Sequence, residues 1–202
     1  MFDQLLWFST RGAGIVSLLL STMVVCLGLL TAARWQATGW PRFLTAELHR
    51  SVALLSVVFV ALHVVTAILD PFTSLGVVAA VVPLASSYRP VAVGLGVISL
   101  DLFIAVIVTS LLRERIGLRV WRTVHWVAYA AWPLAILHAL TAGSDAFSTW
   151  MLALLGACCL AVAASLAWRL AVGGSVRSSL GEVAARSSQP PRTEGRAPGN
   201  GR

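Results

Sequence analysis

Five long apolar runs constrain the fold of this chain more than any other feature of its sequence. Each is about as long as the roughly 20 residues that a helix needs to cross a bilayer. Charged residues make up 11% of the chain, against about a quarter in soluble domains, so a water-exposed surface is excluded over most of its length. We therefore predict an all-α fold, a polytopic membrane helical bundle with about five transmembrane helices. The runs are Gly14–Ala33, Leu48–Leu69, Val91–Leu112, Trp121–Leu140 and Trp150–Ala171.

Two further segments lie outside these runs. The stretch Asp70–Pro90 contains the shorter apolar run Leu75–Ala85, which is too short to cross a bilayer and includes Pro83. It is predicted to be an interfacial or re-entrant segment, with a sixth, distorted crossing as the alternative. Residues 173–202 are rich in Gly, Ser, Pro and Arg and poor in large apolar residues, so we expect a disordered tail after a membrane domain of residues 1–172.

The distribution of arginine predicts the orientation of the bundle. The chain has no lysine, and its arginines cluster in the loops after the first and third apolar runs and in the tail. The positive-inside rule then places the N-terminus outside the cell and the tail in the cytoplasm, in the plasma membrane. Because membrane topology accounts for the basic character, we expect no nucleic-acid partner. The clustered residues are Arg34, Arg42, Arg50, Arg113, Arg115, Arg119, Arg122, Arg177, Arg186, Arg192, Arg196 and Arg202, and the opposite side has Arg11 and Arg89.

All four histidines of the chain lie in predicted membrane helices. His49 and His63 are on the second helix with thirteen residues between them, and His125 and His138 are on the fourth with twelve between them. These two helices run in the same direction, so His49 is level with His125 and His63 with His138. Two imidazoles on one haem iron suit single-electron transfer. The pattern indicates two stacked b-type haems, with levels about 21 Å apart by helical rise.

The directions in which the histidines point around each helix axis agree less well with the prediction of two stacked haems. Fourteen helical steps bring His63 to within about 40° of His49, but thirteen steps place His138 about 140° from His125. Pro133 lies between His125 and His138, and we expect it to kink the helix and redirect its second half. One zinc ion shared by all four is disfavoured, because the two levels are too far apart.

The spacing and its context resemble the ferric reductase and NADPH oxidase transmembrane domain. The matching segments are Leu48-His49-Arg50, Leu62-His63-Val64 and the stretch Trp121–Trp126, and the resemblance covers roughly residues 10–172. The chain is similar in particular to short bacterial members that consist of the membrane part alone. The resemblance implies haem b ligated by His49 with His125 on the cytoplasmic side and by His63 with His138 on the outer side.

The resemblance also implies a function, a membrane cytochrome that relays electrons from the cytoplasmic side across the membrane as part of a ferric reductase-like system. Gly94-Leu-Gly96 lies inside a predicted membrane helix and is no dinucleotide-binding turn, so we expect no flavin or NAD site in this chain. The electron donor is then a separate flavoprotein or quinol. The expected acceptor is a ferric chelate or an extracytoplasmic partner protein, such as a methionine-sulfoxide-reducing or flavin enzyme.

Three charged residues near or between the histidines have two interpretations each. Arg50 directly follows His49, and Arg122 lies three residues before His125. Each arginine could pair with haem propionates, or its position could reflect only the positive-inside rule. Asp101, in the middle of the third helix, is expected to face the bundle, as a hydrogen-bonded carboxyl or as part of a proton or quinone site. A proton-coupled transporter and a haem-free assembly factor remain as rival functions.

Overall fold

The computed structural model describes residues 2–32, 42–73 and 75–187, with side chains described from 4 to 172 inside those ranges except at residue 42. All regular elements in these ranges are helices, which confirms the all-α prediction. The seven helices are α1 (Phe2–Ala32), α2 (Arg42–Leu69), α3 (Val77–Val81), α4 (Pro90–Leu111), α5 (Arg113–His125), α6 (Ala128–Ala142) and α7 (Thr149–Ser187).

Four of the helices are long and apolar enough to cross a membrane. Their apolar spans are Gln4–Ala32, Phe43–Leu69, Pro90–Leu111 and Thr149–Val172, and α6 is a shorter apolar helix. Large apolar side chains such as Leu160 and Val58 are exposed on the outside of the bundle, as expected where lipid replaces water. The predicted polytopic membrane bundle is confirmed, and the protein is a multi-pass membrane protein.

The predicted fourth crossing, Trp121–Leu140, is wrong as a single helix. The backbone departs from regular α-helix at Trp126 and Val127, so the segment divides into the end of α5, which is itself kinked at Gly117 (φ 82°), and the 15-residue α6. The division occurs several residues before Pro133, inside α6, which continues past that proline. Pro133 has no N–H to donate to the carbonyl of Tyr129, and α6 nevertheless continues to Ala142.

Tighter hydrogen bonding at this division changes the direction of the helix. The N–H groups of Val127, Tyr129 and Ala130 each donate to a carbonyl three residues earlier, at distances of 2.9 to 3.1 Å. Such bonds are typical of a 3₁₀-helix with 3.0 residues per turn, so each residue turns the chain about 20° more than in an α-helix. Three such steps add about 60° and so offset part of the mismatch of about 140° between His125 and His138. The redirection was predicted, but the structure locates it before Pro133.

The segment between α2 and α4 does not cross the bundle. It contains the five-residue α3, which is far too short to span a membrane, so the alternative of a sixth crossing is not supported. Leu84, with a φ of 66°, lies against Gly94 of α4, where an added Cβ would be 2.7 Å from a Leu84 methyl carbon. At the other end of the chain, α7 continues to Ser187, so part of the tail predicted to be disordered is helical, and residues 188–202 lie outside the described residues.

Helix α1 is the centre of the packing. It packs most extensively against α2, and also against α7 and α6, while α4 packs mainly against α6 and α5. A buried cluster formed by α1, α6 and α7 includes Leu18, Ile136, Met151 and Leu155. Trp132 packs on this cluster and donates a hydrogen bond of 2.9 Å from its indole nitrogen to the Thr22 hydroxyl. This packing leaves α2 facing the α5–α6 segment across a cavity.

Candidate functional site: two histidine pairs in one cavity

The four histidines form two pairs across the cavity, as the spacing predicted. The ring centroids of His49 and His125, the first pair, are 6.3 Å apart with an interplanar angle of 65°. The centroids of His63 and His138, the second pair, are 6.2 Å apart with an interplanar angle of 75°. Each pair therefore joins one histidine of α2 to one histidine of the α5–α6 segment at nearly the same separation.

The separation within each pair corresponds to two imidazoles on opposite sides of one metal ion. A bond from a metal to an imidazole nitrogen is about 2.0 Å long. A five-membered ring with bonds of about 1.33 Å has each atom about 1.1 Å from its centroid. Two rings on opposite sides of one ion would thus have centroids about 6.2 to 6.4 Å apart. Both observed distances lie in this interval.

Three of the four histidines have their Nδ1 atom held by a backbone carbonyl. The Nδ1 atom lies 3.1 Å from the Val24 oxygen in His49, 2.8 Å from the Thr10 oxygen in His63 and 2.7 Å from the Ala92 oxygen in His138. A carbonyl can only accept, so Nδ1 carries the proton and donates. In a neutral imidazole the other nitrogen, Nε2, then keeps its lone pair, which is the state that a metal ligand requires.

His125 is the exception among the four. Its Nδ1 atom is buried and has no hydrogen-bond partner among the described residues. The ring is supported instead by Trp121, whose ring centroid lies 4.9 Å away at an interplanar angle of 30°. The first pair consequently has one backbone-held ligand and the second pair has two.

One cavity of about 1560 Å³ contains both pairs. A site for one small ligand or cofactor has a volume of about 300 to 1,000 Å³, so this cavity is larger than a single site requires. Its walls are mostly apolar, and all four histidines line it. In the ranges that the structure describes, no group of three or more His, Cys, Asp and Glu side chains could hold a bare metal ion. Each pair offers two imidazoles, whereas a protein-held zinc ion takes four ligands, so the donor set suits a group that brings most of its own metal ligands.

Charged residues collect at the end of the cavity next to the first pair, which we call the arginine-rich end. The side chains of both predicted propionate partners, Arg50 and Arg122, are exposed and line the cavity there. Arg169 of α7, which the sequence reasoning did not single out, also lines the cavity. It donates a hydrogen bond of 3.0 Å to the Tyr129 hydroxyl and lies 5.2 Å from the Trp126 ring centroid. An arginine inside an otherwise apolar run was the signal for it.

The second pair lies near the opposite end of the bundle, where other cations are engaged with the protein itself. Arg11 of α1 forms an ion pair with Asp145 and a hydrogen bond with Ser144, in the loop between α6 and α7. Arg89 donates to the carbonyl oxygens of Thr141 and Ala142 at 3.0 and 3.4 Å, at the C-terminal end of α6. These contacts attach the end of the helix that carries His138 to α1 and α4.

The prediction that Asp101 faces the bundle is wrong. Its side chain is exposed and does not line the cavity. Asp101 lies on one helical stripe with Ile104 and Val108, which are both exposed on the outside of α4. The opposite face of α4, with Gly96 and Phe103, lines the cavity. Hydropathy alone could not show which face of this almost uniformly apolar helix points inward.

Three glycines next to the histidines were missed at the sequence level. An added Cβ at Gly14 would lie 3.0 Å from the His63 ring, one at Gly28 would lie 3.4 Å from the His49 ring, and one at Gly96 would lie 2.6 Å from Nδ1 of His138. A signal was present for two of them, because Gly14 and Gly28 have the same fourteen-residue spacing as His49 and His63.

These features define a class of protein, a polytopic helical membrane protein with paired intramembrane histidines in a shared cofactor-sized cavity. Residues 13–136 match the protein family described as ferric reductase like transmembrane component. The match covers more than half of the chain, so the chain belongs to this family, which confirms the resemblance seen in the sequence and indicates a membrane electron-transfer role. No match was found among curated proteins or among solved structures.

Proposed function

We propose that this protein is a membrane cytochrome b that relays electrons across the plasma membrane, from the cytoplasmic side to the outside. His49 with His125 and His63 with His138 would each hold one haem b. When bound there, the two haems would supply one-electron transfer through six-coordinate iron, which lacks an open position for oxygen. The protein would serve as the transmembrane part of a ferric reductase-like system.

The observation that carries this proposal is the geometry of the two pairs. Each pair has the centroid separation that two imidazoles on one iron require, and the two pairs share one cavity. A proton-coupled transporter would not need two equally spaced pairs. It would also lose the intramembrane acid that favoured it, because Asp101 faces outward.

The residues of the chain prepare the ligands before any cofactor arrives. The carbonyl oxygens of Val24, Thr10 and Ala92 fix the protonated Nδ1 atoms and so present three Nε2 lone pairs to the cavity. The mostly apolar wall disfavours water in the space between the pairs. Arg50 and Arg122, which line the cavity and are exposed, would pair with propionates of a haem at the first pair.

The arginine distribution supports the proposed orientation of the cavity, whereas the proposed direction of electron flow rests on membership of the ferric reductase-like family. By the positive-inside rule, the arginine-rich end of the cavity, with the first pair, would lie at the cytoplasmic face and the second pair toward the outside. The donor would be a flavoprotein or a quinol on the cytoplasmic side. The acceptor would be a ferric chelate or a partner reductase outside the cell.

The decisive test is a reduced-minus-oxidised absorption spectrum of the detergent-purified protein, with haem stoichiometry determined as the pyridine haemochrome. We expect two b haems per chain in the wild type and one in each of the variants His49→Ala and His63→Ala. A matched control is Trp150→Phe, which changes an exposed side chain outside the cavity and should keep two haems. Protein expressed with ample haem but purified without any would refute the proposal and favour a haem-free role.

A further inference from the structure

We infer that Gly14, Gly28 and Gly96 are positioning residues that fix the tautomer and the direction of the three histidines they contact, His63, His49 and His138. In each case, the glycine leaves one backbone carbonyl of its helix open to an imidazole from the neighbouring helix. We call this arrangement a glycine notch, defined by a glycine and the carbonyl four residues before it. The expected effect of a glycine notch on haem binding rests on the function proposed above, whereas the contacts between glycine and histidine do not.

The geometry of the α-helix explains why glycine is needed. Each Cα–Cβ bond tilts toward the N-terminus of the helix, so a side chain covers the turn that precedes it. The carbonyl four residues earlier already accepts the N–H of the residue in question, and its second lone pair points outward. A glycine exposes that lone pair, whereas any larger residue would stand in front of it.

The same relation holds in all three notches. His63 is bonded to the carbonyl of Thr10, four residues before Gly14, and His49 to that of Val24, four residues before Gly28. In α4, the carbonyl of Ala92, four residues before Gly96, accepts from His138 at 2.7 Å. Accidental packing of small residues would not repeat this offset three times.

The spacing along the helices shows that the notches are in register with the histidines. Fourteen residues separate Gly14 from Gly28 on α1, and fourteen separate His49 from His63 on α2. The earlier glycine faces the later histidine, so the two helices run antiparallel in a single register. Helix α1 therefore works as a template that holds both histidines of α2.

His125, the histidine without a backbone partner, also lacks a notch at the corresponding position. Fourteen residues after Gly96, and so on nearly the same face of α4, stands Ser110, which lines the cavity. The Ser110 hydroxyl donates to the carbonyl of Val106, four residues earlier, at 2.6 Å, and so occupies the atom that a notch would offer. This position therefore has a side chain instead of a glycine, and the carbonyl four residues before it already accepts a second hydrogen bond. Nδ1 of His125 has no hydrogen-bond partner among the described residues.

The test uses alanine at the notches and matched alanine controls at neighbouring glycines. Gly96→Ala would place a Cβ 2.6 Å from Nδ1 of His138, so the ring must move away from the Ala92 carbonyl. Gly94→Ala, two residues away, makes an equally short contact of 2.7 Å, but with Leu84. Gly14→Ala touches His63 at 3.0 Å, and its control Gly12→Ala meets nothing within 4 Å.

The first readout needs no haem. The full chain, labelled with ¹⁵N-histidine and purified without haem, should show three histidines with a protonated Nδ1 and an unprotonated Nε2 by NMR. Gly96→Ala should abolish this signature for His138 alone, and the milder Gly14→Ala should weaken it for His63. Gly94→Ala and Gly12→Ala should leave all of the signatures unchanged. This outcome would support the glycine notches even if the protein bound no haem.

The second readout uses the haem-loaded protein. Loss of the partner that orients a metal ligand typically costs about 10- to 100-fold in metal affinity, and we expect that loss in Gly96→Ala for the haem of the second pair. Its midpoint potential and electron paramagnetic resonance signal should shift as well, while Gly94→Ala should change stability only. The inference is overturned if Gly96→Ala leaves the His138 signature unchanged, or if Gly94→Ala alters it as strongly.

Discussion

The unequal support of the two pairs predicts that their haems differ in how readily they are lost. The second pair has two backbone hydrogen bonds to its ligands, of 2.8 and 2.7 Å, whereas the first pair has one, of 3.1 Å. One missing orienting bond should weaken binding by about 10- to 100-fold. This factor corresponds to about 1.4 to 2.7 kcal/mol. The haem at His49 and His125 should therefore leave first.

Single-site variants make this difference measurable. His63→Ala leaves only the first pair intact, and His49→Ala leaves only the second pair. Each variant is mixed with an excess of haem-free myoglobin, which takes up released haem and reports it by absorbance. Haem should leave the His63→Ala protein about 10- to 100-fold faster than the His49→Ala protein. Thermal unfolding of both variants in detergent serves as the control for general destabilisation.

Equal rates, or faster loss from the second pair, would refute the reasoning. Either result would mean that the backbone bonds to Nδ1 do not control retention. The tilted ring of Trp121, with its centroid 4.9 Å from that of His125, would then be the contact to examine, because the second pair lacks such a support in the described residues.

Three other changes test separate parts of the structure. Arg50→Gln should lower the midpoint potential of the haem at the first pair by tens of millivolts, because a nearby cation favours the reduced form; an unchanged potential in a redox titration would contradict the pairing with propionate. Asp101→Asn should leave haem content, both potentials and their pH dependence unchanged, since this carboxylate faces outward; an altered pH profile would restore the proton-relay hypothesis. Trp132→Phe removes the hydrogen bond to Thr22 and should cost about 1 kcal/mol, read as a lower unfolding temperature, with Trp150→Phe on the exposed surface as its control.

The sequence was sufficient to predict the pairing of the histidines. Helical rise depends only on the number of residues, so like spacings on two parallel helices had to produce two levels. The same counting predicted which histidine meets which, and the structure brings His49 to His125 and His63 to His138. Their role as haem ligands stays a prediction.

Rotation about a helix axis was less predictable than position along it. The angular mismatch between His125 and His138 was visible in the sequence, but its resolution was assigned to Pro133. The structure shows tighter turns at Val127, Tyr129 and Ala130. Those turns depend on how α5 and α6 pack against their neighbours. The failed expectation for Asp101 has a similar origin, because an almost wholly apolar helix gives little sign of which side faces its neighbours.

The sequence by itself determined the membrane class, the helical fold and the levels of the four histidines. The reason is that chain length, apolar composition and helical rise are local properties. Only the tertiary structure decided which carbonyl each histidine meets, because a hydrogen bond between helices depends on their register and on the gap between them. The roles of Gly14, Gly28 and Gly96 depend on the neighbouring helix being in place, and so does the role of Ser110, which lines the same cavity.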